Sequence, residues 1–187
     1  MRGLENRLLV VVDMQNDFID GALGSDDAKE IVDRTCKFLQ SWNGHVVFTK
    51  DTHDENYLDT AEGKKLPVKH CIRGTHGWNI NPDIYQSAYR NSPLIIEKPT
   101  FGSRELQKYV NRMAYDEILV CGVCTGICVV SNVLLMKATV PETKISVIEN
   151  MCACVTKQSH IEALHTMRMC HIDLLHYDDS RLVPSDI

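Results

Sequence analysis

Leu8-Leu9-Val10-Val11-Val12-Asp13 is the stretch on which the fold turns. An alternating strand keeps one face in water, whereas an unbroken apolar, β-branched run is covered on both faces. Leu8–Val12 therefore predicts a central strand of a parallel sheet. Asp13 closes it with a carboxylate, which is costly there unless it is paired or has chemistry to do.

Working outward, the same alternation repeats along the chain. Ser25, Asp26 and Asp27 open a helix with a capping hydroxyl and acids in the first turn. Ala28, Ile31, Val32, Cys36 and Leu39 follow at helical spacing, and Asn43-Gly44 ends the pattern. Further strands are predicted at 45–49, 94–97, 117–121, 144–147 and 172–175, and helices at 103–113, 125–137 and 157–169. Strand–helix alternation of this kind predicts an α/β fold of three layers, α-β-α, around a mostly parallel six-stranded sheet. The segment 51–92 breaks the rhythm: it is polar, punctuated by Gly and Pro, with one short helix near Pro82–Tyr89. Long loops inside a compact domain are usually functional. The whole chain, 1–187, reads as one domain with this one elaborated loop.

Composition limits the function classes. The 187 residues carry 20 Lys+Arg against 25 Asp+Glu, a net charge of -5, with 44% hydrophobic residues. A mildly acidic chain lacks the clustered cations needed for nucleic acid or an anionic membrane surface. Its longest apolar runs fall short of the roughly 20 residues that span a bilayer. The expectation is a soluble, cytoplasmic protein. The eight cysteines lie largely within apolar segments, which favours reduced thiols over a disulfide framework.

In doubly wound sheets ligands sit at the carboxyl ends of the strands. Asp13 follows the first predicted strand, Asp51 and His53 the second, Lys98 the third, and Cys124, Thr125 and Cys128 the fourth. Cys128 is the best nucleophile: with Thr125 as cap it falls in a helix's first turn, where the macrodipole favours thiolate and free N–H groups can bind an oxyanion. Taken alone it is equally compatible with a buried core cysteine. Cys121-x-x-Cys124 also admits a redox dithiol or half a zinc site with Cys152 and Cys154, although Cys121 ends a strand and the second pair is wrongly spaced. Asp51-x-His53 with His70, and Glu55 or Glu62 between them, offers donors for a divalent metal. His76, His160, His165, His171 and His176 show no grouping and read as surface or packing residues.

Asp13-Met14-Gln15-Asn16-Asp17-Phe18 resembles the opening of the isochorismatase-like cysteine hydrolases, and Gly122-Val123-Cys124-Thr125-Gly126-Ile127-Cys128-Val129 resembles their nucleophile segment. Lys98 in Glu97-Lys98-Pro99-Thr100-Phe101 stands where the family has its lysine. Asp51-Thr52-His53 and Leu66 to Thr75 are similar to the metal segments of the nicotinamidase branch, although Leu66-Pro67 stands where many members carry an aromatic residue, and Cys124 where many carry Ala. The resemblance spans about residues 7–175.

It implies a catalytic triad of Asp13, Lys98 and Cys128, an oxyanion hole from the N–H groups of Cys124 and Cys128, and a cis peptide at Val123–Cys124. It implies one divalent ion (zinc first, manganese or iron as alternatives) on Asp51, His53 and His70, with Glu62 matching a further ligand. Phe18 would form a wall of the substrate pocket. The implied activity is hydrolysis of nicotinamide or a pyrazinamide-like carboxamide in NAD salvage, by a homo-oligomer with no nucleic-acid or membrane partner. Two rivals stand beside it: a metal-independent cysteine amidohydrolase acting on N-carbamoyl or ureido compounds, and a non-catalytic scaffold that keeps the fold.

Overall fold

A computed structural model describes residues 5–187; the expected domain span, 1–187, begins ahead of the described part. The strands are β1 (Glu5–Val12), β2 (Gly44–Asp51), β3 (Leu94–Lys98), β4 (Glu117–Val123), β5 (Lys144–Ala153), β6 (Asp173–Tyr177) and β7 (Leu182–Pro184). They form one sheet in the order β3-β2-β1-β4-β5-β6-β7, parallel except where β7 runs against β6. The seventh strand corrects the expected six. It spans three residues, starts after a polar turn held by the Asp178 carboxylate, and carries too little apolar pattern to announce itself.

Leu8 to Val12 are all fully buried, as an unbroken apolar strand between two helical layers requires. Burying each such side chain contributes about 1.5–3 kcal/mol. The helices are α1 (Asn16–Ile19), α2 (Asp26–Ser41), α3 (Pro82–Ser87), α4 (Arg104–Met113), α5 (Val130–Thr139) and α6 (Lys157–Met169). Ser25 caps α2 by accepting from the Ala28 N–H at 3.1 Å, and Ser103 caps α4 from the Leu106 N–H at the same distance. α2 packs on α3, while α4, α5 and α6 pack in series. Right-handed crossovers on either side of β1 place these two groups on opposite faces.

The segment expected as one helix over 125–137 is divided. Thr125–Val129 forms a π-helical turn and α5 starts only at Val130. The N–H groups of Ile127 and Val129 both donate to the Cys124 carbonyl at 3.0 Å, which widens the turn. Thr125 does not cap it; its hydroxyl is engaged elsewhere, as described below. The strand order reverses between β1 and β4, so the crevice at their carboxyl ends is where this topology places a ligand.

Candidate active site

β1 ends at Val12, and Asp13 turns the chain with φ 49°, a left-handed conformation that an L-residue adopts at some cost. The carboxylate is fully buried. Its Oδ1 accepts from the Thr49 hydroxyl at 2.6 Å and its Oδ2 lies 2.7 Å from Lys98 Nζ. Lys98, at the end of the edge strand β3, also lies 3.2 Å from Asp51 Oδ1 and 3.6 Å from Cys128 Sγ. One buried ammonium thus touches the carboxylate after β1, the carboxylate ending β2 and the thiol after β4.

Burial raises the Asp13 pKa, with the Lys98 charge opposing it. Burial alone would depress Lys98, but Asp13, Cys128 and Asp51 together raise it, so the ammonium stays charged. Burial and then the Asp13 carboxylate push the Cys128 thiol well above its usual value. The expected helix-dipole effect is thus opposed by burial beside an acid, while the Lys98 charge acts in its favour. The chain leaves β4 through Gly122 and a cis peptide at Val123–Cys124, as the resemblance implied. Gly122 has φ +117°, and a Cβ there would collide with the Val12 carbonyl. Asn132 Nδ2 holds the Cys128 carbonyl at 2.8 Å from inside α5.

Beside Lys98 stands the second group. Single donor atoms from Asp51, His53, Glu62 and His70 lie within 4.8 Å of one another, the one such grouping among the described residues. Nε2 of His53 and Nε2 of His70 face Asp51 Oδ2 at 3.1 and 3.7 Å, and Glu62 Oε1 at 3.7 and 3.8 Å. His70 Nδ1 donates to the Val68 carbonyl at 2.8 Å, which leaves Nε2 as the lone-pair nitrogen. Two imidazoles and two carboxylates, converging and mostly buried, fit a divalent ion. Burial and the nearby Asp51 charge raise the Glu62 pKa, a repulsion that a cation would relieve. No cysteine joins this grouping, and the eight thiols are free, so the half-zinc-site and disulfide readings of the cysteines find no counterpart.

Both groups open on one cavity of about 500 Å³, lined among others by Phe18, Asp51, Glu62, His70, Cys124 and Cys128. Phe18 therefore stands where a ring-contacting wall was expected, 5.5 Å from the His70 ring. Leu66, in place of the aromatic residue, also lines the cavity.

Several contributors escaped sequence reasoning. Gln15 locks Asp51 through both backbone atoms, accepting from its N–H at 2.7 Å and donating to its carbonyl at 2.9 Å. Tyr57, fully buried, packs its ring 4.6 Å from His53 and 4.9 Å from His70. Thr49 hides inside an apolar strand, where a β-branched hydroxyl looks like packing. His160, read as surface or packing, instead meets Thr125 Oγ1 at 2.8 Å.

The isochorismatase domain model matches residues 7–176. The chain is 26% identical over 186 residues to the nicotinamidase/pyrazinamidase of Mycobacterium tuberculosis, covering 90% of this chain and 98% of that one. It is 27% identical over 194 aligned positions to the nicotinamidase of Escherichia coli, covering 87% and 90%. Among solved structures, the pyrazinamidase of Pyrococcus horikoshii in complex with zinc superposes with a TM-score of 0.76 at 22% identity, over 92% of this chain and 99% of that one, which establishes the shared fold.

Proposed function

Since the chain belongs to the isochorismatase domain family, we propose that it is a nicotinamidase, converting nicotinamide and water to nicotinate and ammonia. The observation that carries this reading is the shared cavity, with a Cys128–Lys98–Asp13 cluster on one side and an Asp51/His53/Glu62/His70 donor set on the other. A ring nitrogen and a carboxamide carbon are the two features such a cavity would read at once. The carbamoyl-hydrolysing alternative makes no use of the donor set.

In this reading Asp13 accepts the thiol proton as Cys128 Sγ attacks the carboxamide carbon. The N–H groups of Cys124 and Cys128 stabilise the tetrahedral oxyanion, each such donor being worth about 3–4 kcal/mol. Asp13 returns the proton to the departing ammonia and leaves a thioester. Asp13 then takes a proton from water, which attacks the thioester and releases the acid and the thiol. The Lys98 charge opposes the burial that raises the Asp13 pKa, and it fixes the carboxylate and sulfur in one geometry. Asp51, His53, His70 and Glu62 would hold the divalent ion, zinc being our assignment, which would supply a Lewis-acidic template holding the pyridine nitrogen directly or through another ligand.

The test is ammonia release from nicotinamide by metal-replete protein, with Cys128→Ala alongside. Rapid release abolished by the substitution is expected. No release from nicotinamide, together with turnover of a carbamoyl compound, overturns the substrate assignment. No turnover of either by metal-replete protein points to the non-catalytic reading.

A further inference from the structure

The turn that carries Cys128 is fastened to the β5–α6 connection by side chains that no step of the reaction uses. Thr125, fully buried at the head of the turn, places Oγ1 3.1 Å from the Ala153 carbonyl and 2.8 Å from His160 Nδ1. A hydroxyl carries one proton. If that proton goes to Ala153, whose carbonyl can only accept, His160 must donate its own Nδ1–H to Thr125. The result is a directional chain, His160 to Thr125 to Ala153, joining α6, the nucleophile turn and the end of β5. Burial lowers the His160 pKa from its ordinary value, which favours the neutral imidazole.

A second tether runs parallel to the first. The Gly126 N–H points at Cys154 Sγ from 3.3 Å, and the Ser159 hydroxyl reaches the same sulfur at 3.3 Å. Ser159 also completes the capping box of α6 with Thr156, so its own position is fixed. Without these tethers the turn would be held only by its continuity with β4 and α5 and by the Asn132 amide on the Cys128 carbonyl. With them, the backbone that presents the Cys124 and Cys128 N–H groups is braced against Ala153 and Cys154, which line the same cavity.

We infer that His160 is a positioning residue, and that its hydrogen bond to Thr125 sets the placement of the oxyanion-binding turn and of Cys128 Sγ. The inference rests on the hydrolase reading above for its catalytic consequence, though not for the contact itself. A displacement of about 1 Å in such a site costs on the order of 100-fold in rate. His160→Ala in metal-replete protein should lower kcat for nicotinamide about 10- to 100-fold while KM stays within about 2-fold, because the ring-binding side of the cavity is untouched. His160→Asn, which keeps an N–H donor near Nδ1, should recover most of the loss. Thr125→Val should reproduce it, and the His160→Ala/Thr125→Val pair should be no worse than either alone. Thermal unfolding of each variant separates misfolding from misplacement.

A His160→Ala protein with unchanged kcat, or an Asn variant no better than Ala, overturns the inference. So do independent, additive losses at the two positions. If the unsubstituted protein does not hydrolyse nicotinamide, the proposed function fails first. The inference is then read from the rate at which iodoacetamide alkylates Cys128. That rate should fall in His160→Ala and return in His160→Asn; equal rates in all three overturn it.

Discussion

At Asp13, burial and neighbouring groups set the proton affinity on which the proposed chemistry depends. Burial raises it, the Lys98 ammonium at 2.7 Å lowers it, and Asp51 raises it again. Asp13→Asn, which keeps shape but cannot take the thiol proton, should lower kcat by about 10²- to 10⁴-fold. Thr49→Val is the subtler test. The Thr49 hydroxyl donates to Asp13 Oδ1 at 2.6 Å and so favours the ionised form. Losing it raises the Asp13 pKa, so the base form appears only at higher pH. The acid limb of the kcat/KM profile should therefore move upward in pH; an unmoved or downward-shifted limb would show that Asp13 is not the titrating base. Thr49 also shows where sequence reading stops at this scale. Asp13 and Lys98 stand out because a charge ending an apolar strand is costly, whereas a threonine within a strand carries no such signal. Gln15 fails to stand out for the same reason: its partners are backbone atoms 36 residues away, and no side-chain pattern encodes them.

Among the elements, those with a local signal were legible and those shaped by distant contacts were not. The apolar run of β1, the Ser25 and Ser103 caps and the helical spacing of α2 all act within a few residues. The π-turn at Thr125–Val129 depends instead on Cys154, His160 and Asn132, which arrive from other elements, so a regular helix was the natural expectation. β7 depends on pairing with β6 and on little in its own sequence. The amino ends of the central strands carry a testable tie between elements. Glu117, opening β4, meets Arg7 of β1 at 2.6 Å and Lys144 of β5 at 2.9 Å. Burial would raise its pKa, but the hydrogen bonds from Lys144 and Arg7 outweigh burial and depress it below 4.5. A depressed carboxylate stabilises the fold above its unfolded pKa, and that contribution is lost as pH falls through the folded value. Glu117→Gln should therefore lower stability at pH 7 by about 1 kcal/mol, a half-exposed pair being screened by solvent. The two proteins should converge in Tm as the pH is taken below 4.5. A difference that persists unchanged in acid would show that packing, not charge, ties the three strands.

Across the whole molecule, the parallel order and its reversal between β1 and β4 bring four strand ends to one crevice, and Lys98 joins the two chemistries found there. No helix among the described residues is long and apolar enough to cross a membrane, and the cavity of about 500 Å³ faces outward from the sheet's carboxyl edge. Removing the divalent ion tests how independent the two halves are. Without a cation, the carboxylates of Asp51 and Glu62 repel each other in a mostly buried setting, with Lys98 and the two imidazoles the only compensation. Chelation should therefore lower the melting temperature, since a ligand present at about 1,000 times its Kd contributes about 4 kcal/mol to the folded state. Asp13, Lys98 and Cys128 keep their mutual contacts through β1, β3 and β4, none of which the ion holds. The thiol should accordingly remain open to alkylation while KM for nicotinamide rises steeply, the ring having lost its anchor. Readdition of zinc should restore both. Stripped protein that retains full kcat/KM would remove the donor set from catalysis. Stripped protein whose thiol no longer reacts would mean that the ion shapes the nucleophile turn as well as the ring site, through the one ammonium they share.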